Sequence, residues 1–101
     1  MDLTQDKWIS KQKENQNSLI LDVRTIDEFD EKHIPNSKLL DINSPSNFLD
    51  GIKLMDKNRP YFIYCRSGNR SSRACDIMSS IGFSETYNLV GGILDWKGIT
   101  E

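Results

Sequence analysis

One short segment combines a cysteine with residues that favour a tight, electropositive turn. It reads Cys65-Arg66-Ser67-Gly68-Asn69-Arg70-Ser71 and is called the cysteine loop below. Gly68 and Asn69 readily accept a positive φ, which would let the loop turn its backbone N–H groups toward one centre. Ser71 or Ser72 can cap a following helix, whose first free N–H groups would face the same point. We therefore expect the Cys65 sulfur to point into a crevice and to ionise near neutral pH without a histidine as general base.

A thiolate in such a loop suits two reactions that differ in the atom attacked. In a cysteine phosphatase or arsenate reductase, sulfur attacks the oxyanion centre while an arginine grips its oxygens. In sulfur transfer, the thiolate attacks the outer sulfur of a sulfane donor, becomes a persulfide and passes that sulfur to a second nucleophile. Cysteine phosphatases have five residues between cysteine and arginine, whereas here that arginine position is Ser71 and Arg70 falls one place early. The narrower loop favours a single extra sulfur atom over a tetrahedral phosphate.

The charge distribution also predicts a small anionic ligand. No acidic residue occurs from residue 57 to residue 75, where the basic residues are Lys57, Arg59, Arg66, Arg70 and Arg73. The net charge of the whole chain is nevertheless −2. A nucleic-acid-binding protein would more often be basic overall, with aromatic residues on the basic face. We expect a small anionic sulfur donor as the partner, and no nucleic acid.

Length and composition exclude several other classes of protein. A chain of 101 residues has room for one domain and one core, and we assign residues 1–101 to a single domain. No apolar run is long enough to span a bilayer, and the first fifteen residues lack the apolar segment of a signal peptide. Two cysteines and one histidine make a poor zinc site, so we expect no metal and no cofactor. The predicted location is the cytoplasm, away from membranes.

Strand-like and helix-like segments alternate along the chain. Four short apolar or aromatic runs have the length of strands, at residues 18–23, 37–42, 61–64 and 86–89. Helices are expected at residues 4–15, after Thr25, from Pro45 at a first helical position, at residues 71–80, and briefly from Gly91 through Trp96. Alternation of this kind predicts an α/β fold with a mainly parallel sheet. Ligands of such sheets bind at the carboxyl ends of the strands, where the cysteine loop begins.

Local signals set the expected helix ends and faces. Thr25 with Glu28 forms a capping-box pattern that should open a short acidic helix, IDEFDEK at residues 26–32, which Pro35 should end. Gly82 is the expected C-terminal cap of the helix after the cysteine loop. The helix after Ser44 should present one apolar face, formed by Phe48, Leu49, Ile52 and Met55.

Five ordered blocks resemble a known family. They read LILDVRTIDEF at residues 19–29, HIPNS at 33–37, YCRSGNRS at 64–71, GF at 82–83 and NLVGGILDW at 88–96. Together they resemble the single-domain rhodaneses, which are sulfurtransferases. The resemblance implies a five-stranded, mostly parallel sheet with helices on both faces. It also implies that Cys65 forms the persulfide and that the backbone of residues 66–70 surrounds it.

The remaining candidate residues divide into donor-binding and structural ones. We assign Arg66 and Arg70 to the anionic end of the donor, with Arg73 a weaker candidate. A structural role is expected for Asp22 and Arg24 at the end of a strand, for His33, for Cys75 and Trp8 in the core, and for Gly91, Gly92 and Trp96 near the site.

We therefore predict an enzyme that moves sulfane sulfur from a donor such as thiosulfate to cyanide or a thiol, through a persulfide on Cys65. An alternative is a carrier module that uses the same persulfide to relay sulfur to a protein acceptor, with little turnover on thiosulfate. A cysteine phosphatase or arsenate reductase is the third possibility, and the short loop argues against it.

Overall fold

Five strands form a single sheet in which all neighbours are parallel. The computed structural model describes residues 1–101. The strands are β1 (Asp2–Leu3), β2 (Leu19–Asp22), β3 (Ser37–Leu39), β4 (Tyr61–Tyr64) and β5 (Thr86–Leu89), in the spatial order β1-β5-β4-β2-β3. The helices are α1 (Gln5–Lys13), α2 (Ile26–Glu31), α3 (Pro45–Lys53) and α4 (Asn69–Ser80), followed by a 3₁₀ helix (Ile93–Asp95). The α/β class is confirmed, and the sheet is entirely rather than mostly parallel.

The strand absent from the residue-level prediction is β1. It has only two residues and pairs at the sheet edge with β5, in the register Asp2 to Asn88 and Leu3 to Leu89. Two residues carry no alternating pattern, so only the pairing partner identifies them as a strand. This edge strand brings the beginning of the chain to the side of the sheet that carries the cysteine loop.

Alternation along β4 divides the core into two layers. Tyr61 and Ile63 pack with residues of α3 and α4, whereas Phe62 and Tyr64 pack on the opposite face with Trp8 of α1. Trp8 is completely buried, as predicted. Cys65 follows β4 on the α4 side of the sheet and belongs to that layer of the core. Helices therefore cover both faces, as expected.

Several predicted helix and strand boundaries differ from those in the structure. The capping box of Thr25 and Glu28 is present, and α2 ends at Glu31, one residue before the predicted end at Lys32. Helix α1 is shorter than predicted, and the side chain of its N-cap residue Thr4 makes no capping hydrogen bond. Strand β3 ends at Leu39 instead of continuing to residue 42, because its ladder with β2 covers only three residues.

The predicted apolar face of α3 is only partly correct. Phe48 and Ile52 are buried, Leu49 is exposed and Met55 lies beyond the end of the helix. Gly82 follows α4 with φ +105°, the left-handed conformation expected after a helix end. No helix of the structure, the longest having 12 residues, has the length and apolar character needed to cross a membrane.

Candidate active site

The Cys65 sulfur lies among hydrogen-bond donors at the start of α4. Its Sγ accepts a hydrogen bond from the Gly68 backbone N–H at 3.1 Å and another from the Ser71 hydroxyl at 3.3 Å. The residue is only 1% exposed, which differs from the expected position in an open crevice. It is buried because the side chain turns from the end of β4 toward the α4 layer of the core rather than toward solvent.

A left-handed glycine shapes this loop. Gly68 has φ +110° and is the N-cap of α4, so the helix begins at Asn69 and neither Ser71 nor Ser72 is its cap. Asn69 does not adopt a positive φ, contrary to expectation, because it already belongs to the helix. Because α4 begins two residues earlier in the sequence than predicted, Ser71 lies inside its first turn, where its buried side chain faces the sulfur.

Two opposing effects determine the acidity of Cys65. Burial disfavours the thiolate, but hydrogen bonds from the Ser71 side chain and from the backbone of Ser71, Gly68 and Ser67 hold the pKa of Cys65 below its ordinary value. Donors directed at the charged form therefore outweigh the loss of hydration. No histidine takes part: His33 lies against Phe29, with Nδ1 3.0 Å from the carbonyl oxygen of that residue and the two rings stacked.

Arg70 is engaged by a carboxylate instead of facing the sulfur. Its Nη1 and Nη2 donate to the two carboxylate oxygens of Glu28 at 2.7 and 2.9 Å, forming a bidentate ion pair. Glu28 also completes the capping box with Thr25, so one carboxylate ties α2 to the start of α4. The sequence indicated the capping box but not this pairing, because nothing local shows that residues 28 and 70 meet.

Arg66 is the arginine of the cysteine loop that remains exposed. It lines a cavity of about 230 Å³ beside the loop. The other lining residues are Arg24, Glu28, Glu31, Lys32, Ile93 and Leu94. Ser67 and Asn69 are also exposed and line a smaller cleft of about 190 Å³, together with Val90 and Gly91. The exposed members of the loop thus face two separate clefts, while Cys65 lies buried within the loop.

Arg73 lies apart from this arrangement. It lines an apolar cleft between α3 and α4 that contains no residue of the cysteine loop.

Asp22 and Arg24 form a buried ion pair at 2.6 Å, and Arg24 also donates to the Lys32 carbonyl oxygen at 2.8 Å. That pair ties the end of β2 to the segment after α2. Cys75 is buried in the core and is a free thiol.

Glycine is required where the chain covers the base of the loop. Gly92 has φ +58°, and a Cβ there would lie 2.4 Å from the Arg66 carbonyl oxygen and 2.6 Å from that of Cys65. The next two residues, Ile93 and Leu94, donate their backbone N–H groups to these carbonyl oxygens, each at 3.0 Å. The 3₁₀ helix and its preceding glycines therefore hold the peptide that carries the cysteine.

Asn88 is a site residue for which the sequence predicted no role. It is 3% exposed in the middle of β5, and its side chain bonds to Ser71 and to the Gly68 carbonyl oxygen. The available signal was an amide side chain in the short strand TYNL, where apolar residues would be the norm.

The chain is similar to known proteins in both its sequence and its structure. The Rhodanese-like domain family matches residues 5–99. Thiosulfate sulfurtransferase GlpE of Pseudomonas syringae pv. syringae is 34% identical over 82 residues, covering 81% of this chain and 74% of that protein. The putative sulfur carrier protein YrkF of Bacillus subtilis is 38% identical over 85 residues, but the chain spans only 43% of its length. A crystal structure of a rhodanese-like domain protein from Staphylococcus aureus superimposes with a TM-score of 0.82 at 30% identity, covering 99% of this chain and 95% of that one.

Proposed function

Because this chain belongs to the rhodanese-like domain family, we propose that it transfers sulfane sulfur through a persulfide on Cys65. The observation that supports this most is the position of Sγ, with the Gly68 N–H and the Ser71 hydroxyl both directed at it. The same donors would stabilise a terminal persulfide sulfur, which is also an anion. The name of the Pseudomonas relative, a thiosulfate sulfurtransferase, supports the same chemistry.

Each half-reaction is a displacement at sulfur that needs no external oxidant or reductant. The Cys65 thiolate attacks the outer sulfur of thiosulfate, a new S–S bond forms, and sulfite leaves with the electron pair of the bond that breaks. Cyanide or a thiolate then attacks the outer sulfur of the persulfide, and Cys65 leaves as the thiolate. The product is thiocyanate or a new persulfide. The pKa of Cys65, held below its ordinary value, favours it both as nucleophile and as leaving group.

The two cysteines provide a matched test of this proposal. Cys65→Ser should abolish thiocyanate formation from thiosulfate and cyanide, because an alcohol does not form the persulfide. Cys75→Ser should keep most of the activity, because Cys75 lies in the apolar core and has no place in the cycle. The assay is thiocyanate production at several thiosulfate concentrations. Full activity in Cys65→Ser would disprove the assignment.

Arg66 is the guanidinium of the cysteine loop that we assign to the sulfonate end of the donor. Arg70 shares that role only if it leaves Glu28. Arg66→Ala should raise KM for thiosulfate by an amount equivalent to about 1.5–3 kcal/mol, the usual value of a hydrogen bond to a charged group. Arg73→Ala is the control, because Arg73 is exposed on the same basic segment but lines a different cleft. An equal effect of the two substitutions would show that only general charge attracts the donor.

A sulfur-carrier role is the second candidate, and two observations favour it. The predicted donor-binding Arg70 is paired with Glu28, so the site lacks one of the two arginines expected to bind thiosulfate. The Bacillus relative is named a putative sulfur carrier protein. A carrier would accept one sulfur atom and deliver it to a protein thiol.

Intact mass measurement distinguishes the carrier from the enzyme. After incubation with a persulfide donor, both should gain one sulfur atom, and Cys65→Ser should gain none. Addition of cyanide then separates the two. Repeated turnover with thiosulfate supports the sulfurtransferase, whereas a stable adduct with negligible thiocyanate production supports the carrier. Absence of any adduct on Cys65 would contradict both.

A further inference from the structure

A buried amide in β5 connects the sheet edge to the cysteine loop. The Asn88 Nδ2 donates to the Asp2 carboxylate of β1 at 3.0 Å and to the Gly68 carbonyl oxygen at 3.3 Å. Its Oδ1 accepts a hydrogen bond from the Ser71 hydroxyl. Both polar atoms of the side chain are therefore engaged in one hydrogen-bond cluster, which runs from the exposed Asp2 at the sheet edge to Cys65 through the buried Ser71.

The partners of Asn88 determine which way its amide faces. A carboxylate oxygen and a carbonyl oxygen lie on one side, and both are acceptors, so the NH₂ group must point toward them. The amide oxygen then faces Ser71, to which it offers only an acceptor. Ser71 must donate its hydroxyl hydrogen if this contact is to be a hydrogen bond.

Ser71 has one hydroxyl hydrogen and two acceptors within reach. They are the Asn88 Oδ1 and the Cys65 Sγ, the latter at 3.3 Å. One hydrogen does not serve two acceptors at full strength. The sulfur attracts it strongly only as a thiolate or persulfide anion, since a neutral thiol is a weak acceptor.

We propose that Asn88 is a positioning residue that competes with the Cys65 sulfur for the single Ser71 hydrogen. When the sulfur is neutral, the hydrogen stays with the amide oxygen. When the sulfur becomes anionic, the hydroxyl turns to it and the buried amide oxygen loses its donor. Asn88 thus sets how much of the Ser71 hydrogen bond is available to stabilise the anion.

The charged groups around the cluster do not compete for this hydrogen. Asp2 of β1 is held by Asn88, the buried Asp22 is paired with Arg24 after β2, and Arg70 of α4 is paired with Glu28 of α2. None of these side chains is hydrogen-bonded to the sulfur, whose donors all belong to the cysteine loop. The inference deepens the proposed function, since it bears on catalysis only if Cys65 is the nucleophile.

The test is a double-mutant cycle read by thiolate absorbance in a Cys75→Ser background. Asn88→Ala should lower the pKa of Cys65, giving a roughly threefold larger thiolate-to-thiol ratio at fixed pH, because Ser71 then donates only to sulfur. Ser71→Ala should raise the pKa. Adding Asn88→Ala to Ser71→Ala should change nothing further, because no hydrogen remains to compete for.

The opposite signs separate competition from simple support of the loop. If Asn88 only held the loop in place, Asn88→Ala would raise the pKa of Cys65, as Ser71→Ala does. That result, an unchanged pKa, or an equal shift in the Ser71→Ala background would each overturn the proposal.

A second measurement needs no substitution at Asn88. In the unsubstituted chain, the side-chain amide NMR signals of Asn88 should move with the same midpoint as the Cys65 titration. Those of the exposed Asn43 should not follow that midpoint. Constant Asn88 signals through the titration would overturn the proposal, even if Asn88→Ala fails to fold. Both readouts report on the thiol itself, so they are independent of whether thiosulfate is turned over.

Discussion

Cys65 and Cys75 lie in the same layer of the core but have opposite acid–base behaviour. Both are free and buried, at 1% and 4% exposure. Burial raises the pKa of Cys75 to about 11. Burial also opposes ionisation of Cys65, yet hydrogen bonds from Ser71, Gly68 and Ser67 hold its pKa below the ordinary value. Removal from water is common to the two thiols, so the directed donors account for the difference.

The difference shows how one helix creates two environments. Cys65 lies just before α4 and faces N–H groups that have no acceptor within the helix. Cys75 lies inside α4, where the backbone N–H groups are already used in helical hydrogen bonds. Position relative to the helix start, rather than depth in the core, accounts for the opposite directions of the two pKa shifts.

Gly92→Ala should have the largest effect on stability and on the Cys65 pKa, because it disturbs the peptide that holds Cys65 in front of its N–H donors. The new Cβ would clash with the Cys65 and Arg66 carbonyl oxygens, and positive-φ strain of about 1–3 kcal/mol would add to that clash. We expect a loss of unfolding free energy of about 3 kcal/mol or more, and a Cys65 pKa that rises toward that of Cys75. Urea unfolding and thiol titration measure the two quantities.

Gly82→Ala is the matched control for that substitution. Gly82 also has a positive φ, but a Cβ at this position would meet only the Lys57 side chain, at 3.6 Å. Backbone strain alone should lower stability, with no change in the titration of Cys65. If the two alanine variants behave alike, contact with the cysteine peptide is unimportant.

The second prediction is that the two thiols change stability with pH in opposite directions. The folded-state pKa of Cys75 is raised from 9.0 to about 11, so its contribution is fully present below pH 9 and lost as pH rises toward 11. The loss should amount to about 2–3 kcal/mol. The folded-state pKa of Cys65 is lowered, so its contribution grows as pH rises toward the ordinary thiol value.

Urea unfolding of the unsubstituted chain, Cys65→Ser and Cys75→Ser between pH 6 and pH 11 tests this, with each thiol's contribution taken as a difference from the unsubstituted chain. The stability difference between the unsubstituted chain and Cys75→Ser should decrease as pH rises above 9. The difference between the unsubstituted chain and Cys65→Ser should increase as pH rises toward 9. Parallel pH profiles for the two variants would refute the contrast.

Glu28→Gln should have the smallest effect on stability. It also tests whether the charge of Arg70 or the N–H and O–H donors of the cysteine loop control the pKa of Cys65. The hydrogen bond from Arg70 is the main cause that lowers the pKa of Glu28 to about 2. Its stabilising contribution is therefore present above pH 4.5 and lost as pH falls toward 2. Because both partners are partly exposed, we expect a loss of only about 1 kcal/mol at neutral pH in Glu28→Gln.

The titration of Cys65 should change little in Glu28→Gln, because the donors that lower its pKa are uncharged. Glu31→Gln is the control, on the same helix but outside the ion pair. Urea unfolding at pH 3 and pH 7, with thiol titration, measures both effects. A large shift in the Cys65 pKa would mean that the arginine charge, and not the N–H donors, controls the thiol.

Local patterns were sufficient for most of the architecture. The runs at 61–64 and 86–89 are strands with the predicted bounds, and the capping box of Thr25 and Glu28 is present, because each depends on neighbouring residues. Cys65 was identifiable as the candidate reactive position for the same reason, since strand end, glycine and helix start follow each other directly. The predicted start of α4 was wrong because the left-handed turn at Gly68 lets the helix begin at Asn69, before either of the serines expected to cap it.

The contacts that tune the site come from residues far apart in sequence. Glu28 reaches Arg70, and Asn88 joins Asp2 to Ser71, across strands and helices whose spatial order no local pattern contains. The pairing of β1 with β5 likewise exists only because both strands complete one edge of the folded sheet. Backbone preferences act over a few residues, so they can be predicted from the sequence. Hydrogen bonds and ion pairs between distant side chains depend instead on which elements packing brings together.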